Sequence, residues 1–183
     1  MAEFLWIFWS FSLLGWVLER LFAAVTRSPR RRRRCLLLLP LCPVYGLGMA
    51  AVLALPPSLR SGWPLYLWGG LTATSVEYIY HWWGETFLGV SFWDYTGVFG
   101  NFRGRVCLPF SLAWGLLLFP AVYLVTPPVV ALADRVPIGV TWWLLLAFTA
   151  DAVCSLRFLA VTHDLEALRA VIWPVSALSL IHI

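Results

Sequence analysis

The sequence predicts an all-α fold: a polytopic membrane helix bundle of about five transmembrane helices, N-terminus outside and C-terminus cytoplasmic. Three observations carry this expectation. Of the 183 residues, 61% are hydrophobic and 12% are charged, about half the charge fraction of a soluble domain. The apolar residues gather into long runs, each close to the roughly 20 residues that a helix needs to cross a hydrocarbon core. All 13 basic residues are arginine, and most fall on alternate loops, the asymmetry that orients a membrane protein. The 12 Trp, 12 Phe and 6 Tyr suit aromatic belts at the two interfaces. The strict alternation of a membrane β-barrel is absent.

The first run covers about residues 4–25. Glu3 precedes it and the positive charges follow it, so it reads as a retained helix rather than a cleaved signal peptide. Arg27 and Arg30 to Arg34 come next and mark the cytoplasmic side. Their expected role is to set topology, with attraction to anionic lipid as a second one. The second run, about 35–55, contains Pro40, Pro43, Gly46 and Gly48, so a structural kink is expected there. The third, about 63–83, leads into a long aromatic loop from Gly84 to Arg105. The fourth covers about 106–126 and the fifth about 137–159. Arg103, Arg105, Arg157 and Arg169 add to the cytoplasmic side, and Arg60 and Arg135 fall on the other. Residues 1–177 read as one integral membrane domain. The last six residues, Leu178 to Ile183, read as a sequencing artefact and are set aside.

The four cysteines do not read as a disulfide framework. Cys35 and Cys107 are expected at the reducing face, and Cys42 and Cys154 within helices. No CxxC pair suggests a zinc site, and no metal or cofactor is expected.

Charges within apolar runs are the informative residues, because each costs about 2.5–3.5 kcal/mol at a helix centre. Glu19, Glu77 and Asp151 lie on the first, third and fifth runs, at a similar expected depth. Each has a small residue four positions earlier (Gly15, Ala73, Ala147) and Ala23, His81 or Ser155 four positions later, on the same helix face. Two readings remain open. In one the acids are structural, satisfied by Arg20, Arg157, His81 and helix-end backbone. In the other they line a polar path for a cation, a proton or a small solute. The path candidates are Glu19, Glu77, His81, Glu85, Asp94, Asn101, Arg105, Tyr45, Cys42 and Asp151. Asp94 and Arg105 are expected to pair and lock the aromatic loop. A weak echo between the segments around Glu19–Tyr45 and Glu77–Trp114 suggests a parallel repeat.

These residues carry a resemblance. Gly15-Trp16 with Glu19, Cys42-Pro43-Val44-Tyr45-Gly46 with Gly48, Glu77-Tyr78, Glu85, Trp93-Asp94-Tyr95, and Asn101 with Gly104-Arg105-Val106-Cys107, then Ser111 and Trp114-Gly115, resemble a bacterial family of ABC-transporter permeases, CmpB-like or ABC-transporter type IV. The resemblance runs from about Phe8 to Val125, which leaves Asp151 outside it. Cys35 and Leu39 depart from it, since glycines stand near those positions in the family pattern. It implies a multi-pass protein of the bacterial inner membrane, acting in transport as a permease or permease subunit.

The chain has no G-x-x-x-x-G-K-[ST] phosphate loop, so any ATPase would be a separate protein. The expected partners are the lipid bilayer, that ATPase or another membrane subunit, and further copies of the chain. A juxtamembrane arginine cluster with no reading module excludes a nucleic-acid partner. The leading expectation is a permease for a small solute or ion, with a polar site among the first three helices and the 84–105 loop. One alternative is a non-catalytic accessory or assembly protein. Another is an intramembrane lipid-modifying enzyme using Glu85, Asp94 and Arg105 with Cys107, for which the sequence offers no compelling catalytic residue.

Overall fold

The computed structural model describes residues 2–26 and 35–172, and it is mostly helical. The arginine run from Arg30 to Arg34, Arg27 and the expected artefact at residues 178–183 lie outside the described residues. Helix α1 spans Ala2–Thr26. Helix α2 is short, Pro43–Leu53. Helix α3 is continuous over residues 62–88, with a π-helical stretch on each side of its α-helical centre Gly70–Trp83. A two-stranded antiparallel hairpin follows, β1 Asn101–Phe102 against β2 Val106–Cys107. Helix α4, Leu108–Arg135, has a π-helical middle at Ala121–Val125. Helix α5 is Ile138–Thr162 and α6 is Leu165–Ile172.

Among the described residues, three helices are long and apolar enough to cross a membrane: Ala2–Val25, Leu108–Arg135 and Ile138–Thr162. The second expected span is not one helix. Residues 36–40 form bends, and helical structure begins only at Pro43. Proline suits that position, because its missing N–H falls on a donor that the first turn leaves orphaned anyway. Pro40 and Pro43 therefore precede or start α2 rather than kink it, and Cys42 is the residue just before the helix rather than inside it. Gly46 and Gly48 lie within regular helix. Gly46 lets α2 press against α1, since a Cβ there would meet the Phe8 carbonyl oxygen and Ser12 Oγ. Gly15 on α1 does the same for the ring of Tyr45. This small-residue contact is the usual way for membrane helices to approach closely.

The fourth run extends past its expected end. Pro127 and Pro128, just past that end, sit in the first turn of the α-helical segment Thr126–Arg135. The π-helical turn before them, with the Thr126 hydroxyl donating to the Ala121 carbonyl at 2.8 Å, carries the helix through.

Two apolar clusters hold the bundle. One, at the Ala2 end, joins Ile7, Phe11, Met49, Val52, Leu65 and Leu118. The other lies at the hairpin end, where Phe92, Trp93 and Tyr95 from the aromatic loop pack with Tyr80, Leu159 and Leu165. Phe92 is wholly buried and Tyr95 nearly so. The loop thus folds into the bundle as core. The outer surface exposes large apolar side chains along α1, α3, α4 and α5, among them Leu21, Leu67, Leu116, Leu124 and Trp143. Apolar surface on that scale needs lipid rather than water around it.

Candidate functional site

Glu19 and Glu77 are buried at 8% and 2% exposure, and each receives aromatic donors. Tyr45, in the first turn of α2, donates its hydroxyl to Glu19 Oε1 at 2.5 Å. Tyr95 donates to Glu77 Oε1 at 3.2 Å, and the Trp114 indole N–H to Glu77 Oε2 at 2.8 Å. The Tyr45 ring meets Trp114 edge-on, with centroids 5.3 Å apart. The sequence thus brings two acids into one aromatic girdle: Glu19–Tyr45–Trp114–Glu77–Tyr95. Donors aimed at a buried carboxyl group offset the cost of taking it out of water. The structural reading of the acids expected Arg20, Arg157, His81 and helix-end backbone as partners. Arg20 instead lies over the Trp16 ring, 5.1 Å from its centroid.

A charged cluster sits one turn further along α3. His81, 1% exposed, places Nε2 3.1 Å from Glu85 Oε1 and 3.1 Å from Ser91 Oγ. Arg105 donates Nε–H to Glu85 Oε2 at 2.7 Å and Nη1–H to the Tyr78 hydroxyl at 2.8 Å. The bond to Glu85, and secondarily that to Tyr78, pushes the Arg105 guanidinium pKa up. The Trp93 indole N–H closes the loop by donating to the Arg105 carbonyl at 2.7 Å.

The expected Asp94–Arg105 pair is replaced by this Glu85–Arg105 pair. Asp94 is exposed and accepts the Thr96 N–H at 2.8 Å. The Thr96 side chain first, and its backbone N–H second, hold the Asp94 carboxyl below its ordinary pKa. Asn101 also serves the loop itself: its amide donates to the Val98 carbonyl at 3.1 Å, and its oxygen accepts the Gly104 N–H at 3.3 Å. Gly104 has φ +69° there, close to the Asp94 carboxylate and the Thr96 hydroxyl, a conformation that glycine adopts without strain.

Beside Glu77 a crevice of about 300 Å³ opens between α1, α2, α3 and α4. Tyr45, Trp114 and Glu77 form its polar end, and Phe11, Leu14 and Leu118 are among the apolar side chains that line the rest. A smaller cavity of about 130 Å³ lies across the Tyr45–Trp114 contact and includes Glu19. The arrangement is an apolar crevice with one carboxyl group, that of Glu77, at its end, rather than a broad polar chamber. Among the described residues, no three His, Cys, Asp or Glu side chains are placed to hold a metal ion. Ser91 and Glu85 both meet the same nitrogen of His81. A nucleophile relay needs the acid on the other ring nitrogen, so these contacts do not form one.

A family model described as "Putative ABC-transporter type IV" matches residues 6–156. The chain belongs to this family. Neither curated proteins nor solved structures gave a match. Membership is compatible with a transporter component in a membrane, as the three long apolar helices also suggest.

The ABC-transporter type IV match corrects the limit read from the sequence. It continues into α5, as far as residue 156, so Asp151 falls inside it. Asp151 has a different setting from the other two acids. Its carboxylate accepts the backbone N–H groups of Leu38 and Leu39 at 3.1 and 2.9 Å, and the Ser155 hydroxyl at 3.0 Å. It ties the non-helical segment before α2 to α5. Cys42 lies at the end of that segment, where its N–H donates to the Ser12 carbonyl at 2.9 Å.

Sequence reasoning missed Tyr95 and Trp114 as the partners of Glu77, Tyr78 as a partner of Arg105, and Ser91 altogether. The first three stood in quoted motifs, and their hydroxyl and indole groups were the available signal, since each is a donor that a buried carboxyl group can use. Ser91 had no signal of its own. Cys107, considered as a nucleophile, is 1% exposed, and its backbone carbonyl accepts the Ser111 hydroxyl at 3.0 Å.

Proposed function

We propose that this ABC-transporter type IV protein is the membrane permease, or a permease subunit, of a transporter whose ATPase is a separate chain. In this reading it crosses the bilayer about five times, α2 and the segment before it making one crossing together. The hairpin end, which carries Arg103 and Arg105, faces the bacterial cytoplasm. The solute passes along the crevice between α1 and α4.

The observation that carries the reading is Glu77: a carboxylate 2% exposed, at the end of a 300 Å³ crevice, held by Tyr95 and Trp114. Intramembrane acids facing a cavity mark substrate or ion pathways. The apolar lining favours a small, weakly hydrated solute over a hydrated ion, because a hydrated ion entering there loses water without regaining polar partners.

The test begins with ligands that raise the melting temperature of the purified protein, since a specific binder stabilises the folded state by mass action. Flux of the hit is then measured in proteoliposomes, with the co-purified ATPase where one is found. Glu77→Gln is expected to lower flux at unchanged folding; unchanged flux would remove Glu77 from the path.

A second reading, an accessory or assembly protein, draws on a specific observation as well. Asp151, Glu85, Arg105 and Asn101 are all engaged in holding this chain's own loops. It expects no flux, and a defined membrane partner that co-purifies.

A further inference from the structure

Cys35 and Cys42 are seven positions apart, and their Sγ atoms stand 2.7 Å from one another. Seven residues of α-helix would separate them by about 10 Å along the axis. The bends at residues 36–40 bring them together instead. Neither is in a disulfide, and an S–S bond is only about 2.05 Å long.

The approach is held from both sides of the segment. The Cys42 N–H is fixed on the Ser12 carbonyl of α1, and the Leu38 and Leu39 N–H groups on Asp151 of α5. The two sulfurs differ in access. Cys35 is half-buried, whereas Cys42 is 4% exposed. One accessible thiol with a second, shielded thiol beside it is the arrangement of an attacking and a resolving cysteine.

We propose that Cys35 and Cys42 form a reversible intramolecular disulfide, with a low-molecular-weight disulfide as oxidant. The Cys35 thiolate attacks one sulfur of the oxidant, breaking its S–S bond and releasing one thiolate. Cys42, as thiolate, then attacks the Cys35 sulfur and expels the second. Two protein thiols are oxidised, and the oxidant is reduced to two thiols that take up the two cysteine protons. Excess reducing thiol reverses both steps. The oxidised bond closes a ring immediately before α2, the helix that carries Tyr45 to Glu19. This couple is independent of the transport reading.

The test uses the full chain in detergent, incubated with glutathione disulfide and digested with trypsin without reduction. Cleavage after Arg34 and Arg60 leaves both cysteines on one peptide. That peptide is expected to lose two hydrogens, resist alkylation and recover both thiols on reduction. Cys42→Ser is expected to stop at a glutathione adduct on Cys35, and Cys35→Ser to form no internal bond. If Cys42→Ser does not fold, the wild-type mass decides alone. A peptide that keeps both thiols while the exposed Cys154 takes up glutathione would overturn the proposal. So would a wild-type glutathione adduct on Cys35 that leaves Cys42 alkylatable, or a bond from either cysteine to Cys107 or Cys154.

Discussion

Trp114 on α4 donates its indole N–H to Glu77 Oε2 on α3 at 2.8 Å. One hydrogen bond thus joins two helices and helps to compensate a buried acid. Glu77 is 2% exposed, so its carboxyl group depends on protein donors. Leaving a buried polar group without one of its partners costs about 1–3 kcal/mol. Trp114→Phe keeps an aromatic ring and deletes the N–H, and we predict a loss of stability in that range, measured by thermal unfolding in detergent. Glu77→Gln keeps an acceptor and is predicted to lose less than Glu77→Ala. An unchanged melting curve for Trp114→Phe would count against the indole bond as a stabilising contact.

Arg105 joins the hairpin to α3 through Glu85 and Tyr78. Its guanidinium makes two directed bonds, which the compact ammonium of lysine does not reproduce. Arg105→Ala is predicted to speed amide hydrogen exchange over residues 93–107 while leaving the amides of α1 and α5 as protected as before. Arg105→Lys should give an intermediate rate. Exchange that rises uniformly across the bundle would assign Arg105 to global stability instead of loop docking.

The residues that sequence reading found, and those it missed, differ for a physical reason. Glu19, Glu77 and Asp151 were legible because a charge in an apolar run is costly wherever the run folds. Their partners were not, because Tyr95 and Trp114 stand 18 and 37 positions from Glu77, and only packing brings them near. Arg105 had two carboxylates within reach in sequence, Glu85 and Asp94. The choice of Glu85 follows from Asp94 being engaged by its own turn with Thr96. The second run failed as a helix because apolarity reports partition into lipid, not backbone conformation. Leu36 to Leu39 are as apolar as any helix, yet the amides of Leu38 and Leu39 bond to Asp151, more than a hundred residues away.

Asp94 supplies a pH dependence. Its carboxyl is held below the ordinary value by the Thr96 side chain and N–H. A depressed folded-state pKa means that the folded state binds fewer protons, so the contribution is present above the unfolded value, about 3.9, and is lost as pH falls through the folded value. Wild-type protein and Asp94→Asn are therefore predicted to differ in melting temperature at neutral pH and to converge on acidification below pH about 4. Because Asp94 is exposed, the difference should be small and should shrink in high salt only slightly, since its cause is local hydrogen bonding. A difference that grows on acidification would give the shift the opposite sign.

Gly46 and Gly48 lie on the same short helix and predict opposite outcomes for one substitution. A Cβ at Gly46 would meet the Phe8 carbonyl oxygen, which cannot rotate away, as well as Ser12 Oγ and the Phe8 ring. α2 would have to move off α1, carrying Tyr45 with it. Overpacking of this kind costs about 1–3 kcal/mol, so Gly46→Ala is predicted to destabilise by that amount. It should also weaken the Tyr45–Glu19 bond. A Cβ at Gly48 meets nothing within 4 Å, and alanine is favoured over glycine inside a helix by about 0.5–1 kcal/mol. Gly48→Ala is predicted to be neutral or stabilising. The paired measurement, unfolding of both variants in one detergent, separates close packing from helix propensity. Equal effects at the two positions would mean that α1 and α2 do not touch through Gly46.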